Sequence, residues 1–243
     1  MPSGYRAMPV APDIAVELLP GTVAVPGGLE PVIGAAWAAA QARAGGCLFN
    51  GRVFSVTEFV PHRIAGQLVE YRLVVAGYAD PALAAALRLR PLSVCGVLRM
   101  PDGILFGRRQ AGATYEAGLW QTPPAGSVDA GAVRAGRVDT VGQIRTELAE
   151  EIGLDWARIT ACRAITLVAH AATGVHDLAF LLETAAPFAD VVACQAATGC
   201  GEYSELRAVP EAALAGFVAA ERTRLVPAAP LFLQALGLLP HGA

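Results

Sequence analysis

The sequence predicts an α+β protein made of two units, and three features of the chain predict it. Apolar runs typical of strands recur along the 243 residues, alanine-rich segments typical of helices stand between them, and the pattern changes near residue 88. We therefore expect a small α+β domain in residues 1–88 and a larger domain in residues 89–243. The alternative is that the strand before the boundary packs into one continuous fold.

Turn and cap residues divide the first unit into elements. Glycine pairs end helices, Asn-Gly between apolar runs is typical of a hairpin turn, and Asp followed by Pro is typical of a helix start. The elements predicted here are a strand at Ala15–Leu19, a helix at Val32–Ala44, a hairpin around Asn50-Gly51, a strand at residues 71–78 and a helix opened by Asp80.

The second unit begins with two apolar runs that are joined by Pro101-Asp102-Gly103, which predicts two strands with a tight turn. A long loop follows, and then a helix over residues 140–152. Beyond this helix the pattern predicts three strands and two helices, with strands at residues 162–170, 176–184 and 204–210 and helices starting at Pro210 and Pro230.

Composition excludes several classes of function. The net charge of −3, the isoelectric point near 5.8 and the lack of a basic run argue against a nucleic-acid partner. No apolar stretch is long enough to cross a membrane, and the first residues lack the pattern of a signal peptide. The five cysteines are odd in number and scattered, which is typical of free thiols in a reducing compartment. We expect a cytoplasmic protein with no membrane partner.

The helix at residues 140–152 carries three glutamates in five positions. At about 100° per residue, one stripe of the helix is apolar and should face the core; it consists of Val141, Ile144, Leu148 and Ile152. Glu147 and Glu151 lie one turn apart beside that stripe, and Glu150 lies farther toward solvent. Like charges so placed repel each other, whereas a hard divalent cation would hold them together. A solvated acidic face is the alternative interpretation.

Several segments in order resemble the layout of a Nudix hydrolase. They are LSVCGVLRMPDGILFGRR, GLWQTPPAGSVD, TELAEEIGL and SELRAVPEAAL, and together they cover roughly residues 90–220. The end of the Nudix motif, Glu-U-x-Glu-Glu-x-Gly-U with U aliphatic, is matched by Glu147, Leu148, Glu150, Glu151, Gly153 and Leu154, and its first glycine by Gly126. The resemblance implies a Nudix fold, an α/β/α sandwich with a mixed sheet, for residues 89–243.

The resemblance also implies a metal site and a reaction. Glu147 and Glu151 would be metal ligands, Glu150 a ligand or a water-positioning group, and the carbonyl of Ala125 would complete the site. The cofactor would be Mg²⁺, with Mn²⁺ as the alternative, and the reaction the hydrolysis of a phosphoric anhydride bond. The substrate is expected to be a small nucleoside diphosphate compound.

Further residues are candidates for substrate binding and proton transfer. Arg108 and Arg109 end a strand and suit a diphosphate, although a solvated strand end is an equal alternative. Trp120 is the best placed of the aromatic residues that are candidates to stack on a base; the others are Phe49, Phe54, Tyr71 and Tyr115. Glu202 is the first candidate for the general base, and Glu150 is the second.

Two departures from the Nudix motif bear on activity. Thr146 occupies the position of the motif arginine, and Arg145 beside it points to another side of the helix. The segment from Gly126 to Thr146 is six residues longer than the pattern and lacks its internal glutamate; Asp139 is the nearest acid and is suited to cap the helix. These changes favour a remodelled loop, and they leave a catalytically silent sensor of nucleotide sugars as an alternative.

The layout of the first 90 residues loosely resembles that of Nudix members that hydrolyse UDP-glucose. It favours a UDP-sugar, split into UMP and a sugar 1-phosphate, as the substrate. ADP-ribose or a related compound is the alternative substrate. A homodimer is an open alternative for the assembly.

Overall fold

The computed structural model describes residues 4–113 and 116–240 and has an α+β architecture with two β-sheets. The strands are β1 (Tyr5–Pro9), β2 (Ala15–Leu18), β3 (Arg52–Val60), β4 (Arg63–Glu70), β5 (Leu92–Met100), β6 (Gly103–Arg109), β7 (Trp120–Gln121), β8 (Ala125–Ser127), β9 (Val133–Arg134), β10 (Arg137–Val138), β11 (Ile159–His170), β12 (His176–Thr184) and β13 (Tyr203–Val209). The α-helices are α1 (Glu30–Arg43), α2 (Tyr71–Ala79), α3 (Pro81–Ala86), α4 (Thr140–Glu147), α5 (Phe188–Thr198), α6 (Leu214–Ala220) and α7 (Ala229–Ala235).

The larger sheet is mixed and splits open on one side. Its strand order is β1-β11-β12-β5-β6-β13, and the β12–β5 pair is parallel. β5 and β6 pair through Arg99 with Ile104 and Met100 with Gly103, next to the turn that joins them. Farther from that turn β8 pairs with β5, and β7 pairs with β6. The two strands therefore diverge, and a cleft opens between them.

Helices cover both faces of this sheet because side chains of a strand alternate between faces. On one face, Leu92 and Val94 of β5 share a core with Ile144 of α4. On the other face, Cys95 and Val97 share a core with residues of α7. This arrangement confirms the predicted α/β/α sandwich with a mixed sheet.

The smaller sheet has the order β3-β4-β2-β10-β9, so it contains strands from both sides of residue 88. β1 likewise leaves the N-terminal segment and pairs with β11 in the larger sheet. Phe54 of β3 and Ile64 of β4 belong to the same core cluster as Leu92 of β5. The boundary predicted at residue 88 therefore does not separate the two sheets, and the core is continuous across it.

The predictions for residues 50 and 71–78 were wrong. Residues 71–78 form most of α2, because a short apolar run suits a buried helix as well as a strand. Asn50 does not form a hairpin turn; its Oδ1 accepts from the amide of Arg72, 2.8 Å away, and its Nδ2 donates to Glu70 Oε2 at 2.9 Å. The hairpin lies one element later, where Pro61 and His62 join β3 and β4.

The other predicted elements agree with the structure within a few residues, including β2, α1, α3 and the strands β5, β6, β11, β12 and β13. β1, β4 and α5 lie in segments where no element was predicted, and the short strands β7 to β10 lie in the segment predicted as a long loop. The five cysteines are free thiols, and no helix among the described residues has both the length and the apolar character needed to cross a membrane.

Candidate active site

The glutamates lie at the end of α4 and in the helical turn that follows it. Asp139 caps α4, since its Oδ1 accepts from the amide of Gly142 at 2.7 Å. The helix then widens into a π-helical turn over Leu148–Ile152 and ends at Gly153, whose φ of 70° is left-handed. The predicted helix over residues 140–152 and its cap are therefore confirmed.

One face of this helix is buried against the sheet. Ile144, Leu148 and Ile152 are fully buried, as the apolar stripe predicts, whereas Val141 is 45% exposed. The prediction was wrong for Val141 because the buried side chains of the first turn of α4 are Thr140 and Gln143. Beside the stripe, the side chain of Glu151 is only 6% exposed.

Two hydrogen-bond donors hold the carboxylate of Glu151. The hydroxyl of Tyr203 donates to Glu151 Oε2 at 2.6 Å, and the amide of Ala125 donates to the same oxygen at 3.1 Å. Gln121 Nε2 in turn donates to the Tyr203 hydroxyl at 2.7 Å. Tyr203 lies on β13, Ala125 on β8 and Gln121 on β7. This network of hydrogen bonds therefore connects the helical turn of Glu151 to strands on both sides of the cleft.

Glu147 is half-buried and lies against β8. Gln143, one turn earlier, donates from Nε2 to Glu147 Oε1 at 2.7 Å. A Cβ atom at Gly126 would overlap the Glu147 carboxylate, so the glycine makes room for the side chain. Glu150, by contrast, is exposed at the rim of the cleft.

Burial changes the acidity of both inward glutamates. It raises the pKa of Glu147 to about 7, against the lowering effect of the Gln143 hydrogen bond. It raises the pKa of Glu151 to about 8, and the charges of Glu147 and Glu202 add to this effect while Tyr203 opposes it. No cation among the described residues lowers either value. A bound cation would therefore favour the charged form of both groups.

Glu202 and Arg109 face each other across the same cleft. Arg109 Nη1 lies 3.1 Å from Glu202 Oε1 and donates to Gln121 Oε1 at 3.1 Å. A chain of polar contacts thus runs from Glu202 through Arg109, Gln121 and Tyr203 to Glu151. Glu202 precedes β13, and the pairing of Tyr203 with Arg109 in the β13–β6 register brings the two ends together.

Arg108 and Trp120 do not face this cleft. Strand alternation points Arg108 away from Arg109, and its Nε donates to the carbonyl of Gly118 at 3.3 Å. Trp120 is 3% exposed and packs edge-on against Phe217 in the opposite core, with Arg207 over its ring at 4.8 Å. We therefore do not retain Trp120 as a stacking surface or Arg108 as a diphosphate ligand.

Two other aromatic candidates do line the cleft, namely Phe49, which is 84% exposed, and Tyr71 of α2. Phe54 is fully buried, and Tyr115 lies outside the described residues. Sequence reasoning missed Tyr203 and Gln121, because only the pairing of the strands brings them to Glu151.

Two adjoining cavities form the cleft. We call the first, of about 650 Å³, the outer cavity; Asp129 and the glutamates at positions 147, 150, 151 and 202 line it. The second, of about 410 Å³, is the inner cavity, and it extends between β5 and α7. The walls common to both are Tyr71, Ala125, Gly126, Ser127 and Glu202. One elongated ligand is therefore able to occupy both.

The cleft offers carboxylate oxygens as donor atoms for a divalent cation. In residues 4–113 and 116–240, no three side chains of His, Cys, Asp or Glu are grouped closely enough to form a metal site by themselves. Mg²⁺ is, however, commonly bound by one or two carboxylates together with phosphate oxygens of a substrate. Glu147 and Glu151 supply such a pair, because both are held at one cleft and neither has a cationic neighbour in the described part of the chain. The residues fit the ion.

The fold and the cleft thus define an α/β/α protein with a paired-carboxylate site. No family model and no curated protein matches the sequence. Solved structures do resemble it, among them DR0079 from Deinococcus radiodurans, with 17% identity and a TM-score of 0.48 over 76% of this chain and 98% of that one.

Two further structures are described as Nudix proteins. The NUDIX domain of Shewanella oneidensis NrtR, crystallised with ADP ribose, has 17% identity and a TM-score of 0.45 over 63% of this chain and 90% of that one. A NUDIX hydrolase from Nitrosomonas europaea has 14% identity and a TM-score of 0.41 over 60% of this chain and 88% of that one. Likeness at this level concerns the fold, and a function must rest on the residues of the cleft.

Proposed function

We propose that the chain is a Mg²⁺-dependent hydrolase of a nucleoside diphosphate-linked compound. The observation that carries this proposal is the pair of Glu147, which is half-buried, and Glu151, which is buried; both lie at one cleft, and no cation among the described residues is paired with either. A protein gains no stability from burying two like charges without a partner. A ligand that brings a cation and phosphate oxygens gives both carboxylates a role.

The metal would be held by Glu147 and Glu151, with Glu150 and the carbonyl of Ala125 as further ligands and Mn²⁺ as the alternative ion. When bound, the ion supplies charge stabilisation at the diphosphate oxygens and lowers the pKa of water. Glu151 is suited to hold its position during the reaction, because Tyr203 and Ala125 fix one of its oxygens.

Polar residues of the cleft would accept the proton and bind the phosphate oxygens. Glu202 lies on the wall shared by both cavities and would accept a proton from the attacking water, with Glu150 as the second candidate. The water oxygen forms a new bond to one phosphorus, the bridging P–O bond breaks, and its electron pair stays on the departing phosphate. Arg109 would bind phosphate oxygens through guanidinium donors.

Two substrates fit this proposal. A UDP-sugar, which would give UMP and a sugar 1-phosphate, is supported by the N-terminal segment, because Phe49 and Tyr71 from that segment line the outer cavity. ADP-ribose is the second candidate, since the cavities together suit any elongated nucleoside diphosphate. A sensor without turnover is the alternative function, because the Thr146 hydroxyl, at the position of the motif arginine, donates to the carbonyl of Gly142.

The test is product analysis with a matched pair of variants. Purified protein with Mg²⁺ is incubated with UDP-glucose, UDP-galactose, ADP-ribose, NADH, diadenosine polyphosphates and nucleoside triphosphates, and products are separated by chromatography. Glu151→Gln should lower turnover on the order of 10³-fold, whereas Glu205→Gln, the same change at an exposed position, should leave it unaltered. Turnover that survives Glu151→Gln would refute the proposal, and binding without turnover would favour the sensor.

A further inference from the structure

The inner cavity contains a second pair of acidic groups, separate from the glutamates of the helix. Glu116 lies in the segment between β6 and β7, and Asp177 lies on β12 beside Ser93 of β5. The Tyr5 hydroxyl contacts Glu116 at 3.5 Å. Neither acid is used in the proposed hydrolysis.

The charges of this cavity are unbalanced. Arg109 is the only arginine among the described residues that line it, and it already contacts Glu202 at 3.1 Å. Burial and the charge of Asp177 raise the pKa of Glu116 to about 8, although Arg109 and Tyr5 lower it. Burial raises the pKa of Asp177 to about 7, against a hydrogen bond from Cys95. A cation that entered the cavity would therefore favour the charged forms of Glu116 and Asp177.

The polar and aromatic walls point to a ligand in the same place. Thr122 is 2% exposed and lines the cavity, and its hydroxyl has no hydrogen-bond partner among the described residues. A buried polar group without a partner is costly, so a ligand group at Thr122 would be stabilising. Tyr71, Tyr78 and Phe232 add aromatic rings to the walls, and such rings attract cations.

We propose that the inner cavity binds an ammonium group of the substrate, so that the part of the molecule beyond the diphosphate is cationic, as in an amino sugar. This inference rests on the proposed function, because the cavity shares Ala125, Gly126 and Glu202 with the outer cavity where the diphosphate would lie. An ammonium group between Glu116 and Asp177 forms ion pairs with both carboxylates, whereas a neutral hydroxyl group leaves the carboxyls without a cation and favours their protonated forms.

The first test measures binding without metal and without phosphate. Choline and its neutral isostere 3,3-dimethylbutanol are titrated near neutral pH in the presence of a chelator, and the dissociation constants are measured by NMR. Wild type should bind choline at least about tenfold more tightly than the isostere. Asp177→Asn and Glu116→Gln should each lose that preference, and Asp13→Asn, which changes an exposed acid, should keep it.

Equal affinity for the two probes, or a preference that survives in both cavity variants, would overturn the ammonium site. The two carboxyl variants are independent, so a failure of one to fold leaves the other to decide.

The second test separates this inference from the proposed reaction. UDP-glucosamine and UDP-glucose differ in one amino group, and kcat/KM should be at least about tenfold higher for the amino sugar. Turnover of both at equal rates, without a choline preference, would discard the ammonium site and keep the hydrolase. A choline preference without turnover of any nucleotide compound would keep the site and discard the hydrolase.

Discussion

The two acidic pairs of the cleft are held in different ways. Glu147 and Glu151 lie one turn apart on one helix; Gln143 of the same helix donates a hydrogen bond to Glu147, and Tyr203 of β13 donates one to Glu151. Glu116 and Asp177 come from a loop and a strand, and burial dominates the pKa of both. A pair on one helix is fixed in spacing before any ligand binds, whereas a pair from two segments depends on the fold around it. The first arrangement suits chemistry, and the second suits recognition.

The largest effect expected in the first pair comes from Gly126. Gly126→Ala places a methyl group where the Glu147 carboxylate lies, and the flexible end of that side chain must move. Because a displacement of about 1 Å at a reacting group costs on the order of 10²-fold in rate, kcat should fall by roughly that factor. The free energy of unfolding should change by less than about 1 kcal/mol, since the three atoms nearest to the added Cβ belong to the end of the flexible Glu147 side chain.

Gly216→Ala is the matched control, because an added Cβ at Gly216 meets nothing within 4 Å. Steady-state kinetics and urea denaturation of both variants check the prediction. An unaltered kcat in Gly126→Ala would mean that the position of Glu147 is unimportant for the reaction.

The next effect concerns the donor to Glu151. Tyr203→Phe removes the 2.6 Å hydrogen bond and leaves the amide of Ala125 as the remaining donor among the described residues. Loss of a group that orients a metal ligand typically costs about 10- to 100-fold. We expect kcat and the affinity for Mg²⁺ to fall while KM changes little. A variant that loses stability but keeps its kcat and metal affinity would show that Tyr203 has only a structural role.

The last prediction concerns the second pair and the dependence of stability on pH. The pKa of Asp177 rises from 3.8 to about 7 on folding, and that of Glu116 from 4.5 to about 8. Between these values the folded protein keeps protons that the unfolded chain has released, so the free energy of unfolding falls as the pH rises. This contribution is fully present below about pH 4 and is lost as the pH rises to about 8.

Asp177→Asn should therefore flatten the dependence of stability on pH between about 4 and 7, by up to about 1.4 kcal/mol per pH unit. Chemical denaturation in a chelator at several pH values measures the slope, and Asp13→Asn should leave it unaltered. An identical slope in Asp177→Asn would mean that the carboxyl of Asp177 is as well solvated in the folded protein as in the unfolded chain.

Local sequence predicts the helix that carries the first pair, but it does not predict every element of the fold. The helix over residues 140–152, its cap at Asp139 and the inward positions of Glu147 and Glu151 follow from periodicity and cap chemistry, both of which act within a few residues. Residues 71–78 could not be assigned in this way, because a buried run of that length has no periodicity that distinguishes a helix from a strand. Val141 and Trp120 were misplaced because burial of the ends of elements depends on their neighbours in the fold.

By itself, the sequence determined the α+β class, most of the elements and the helix that carries the glutamates, and the α/β/α sandwich was implied by the resemblance to Nudix hydrolases. Only the tertiary structure decided that Tyr203 reaches Glu151, that Arg109 and not Arg108 faces the cleft, and that Asp177 lies in a cavity with Glu116. The physical reason is distance along the chain. Contacts within a helix are set by a rise of about 1.5 Å per residue, whereas these partners meet only through the register of strands in a split sheet.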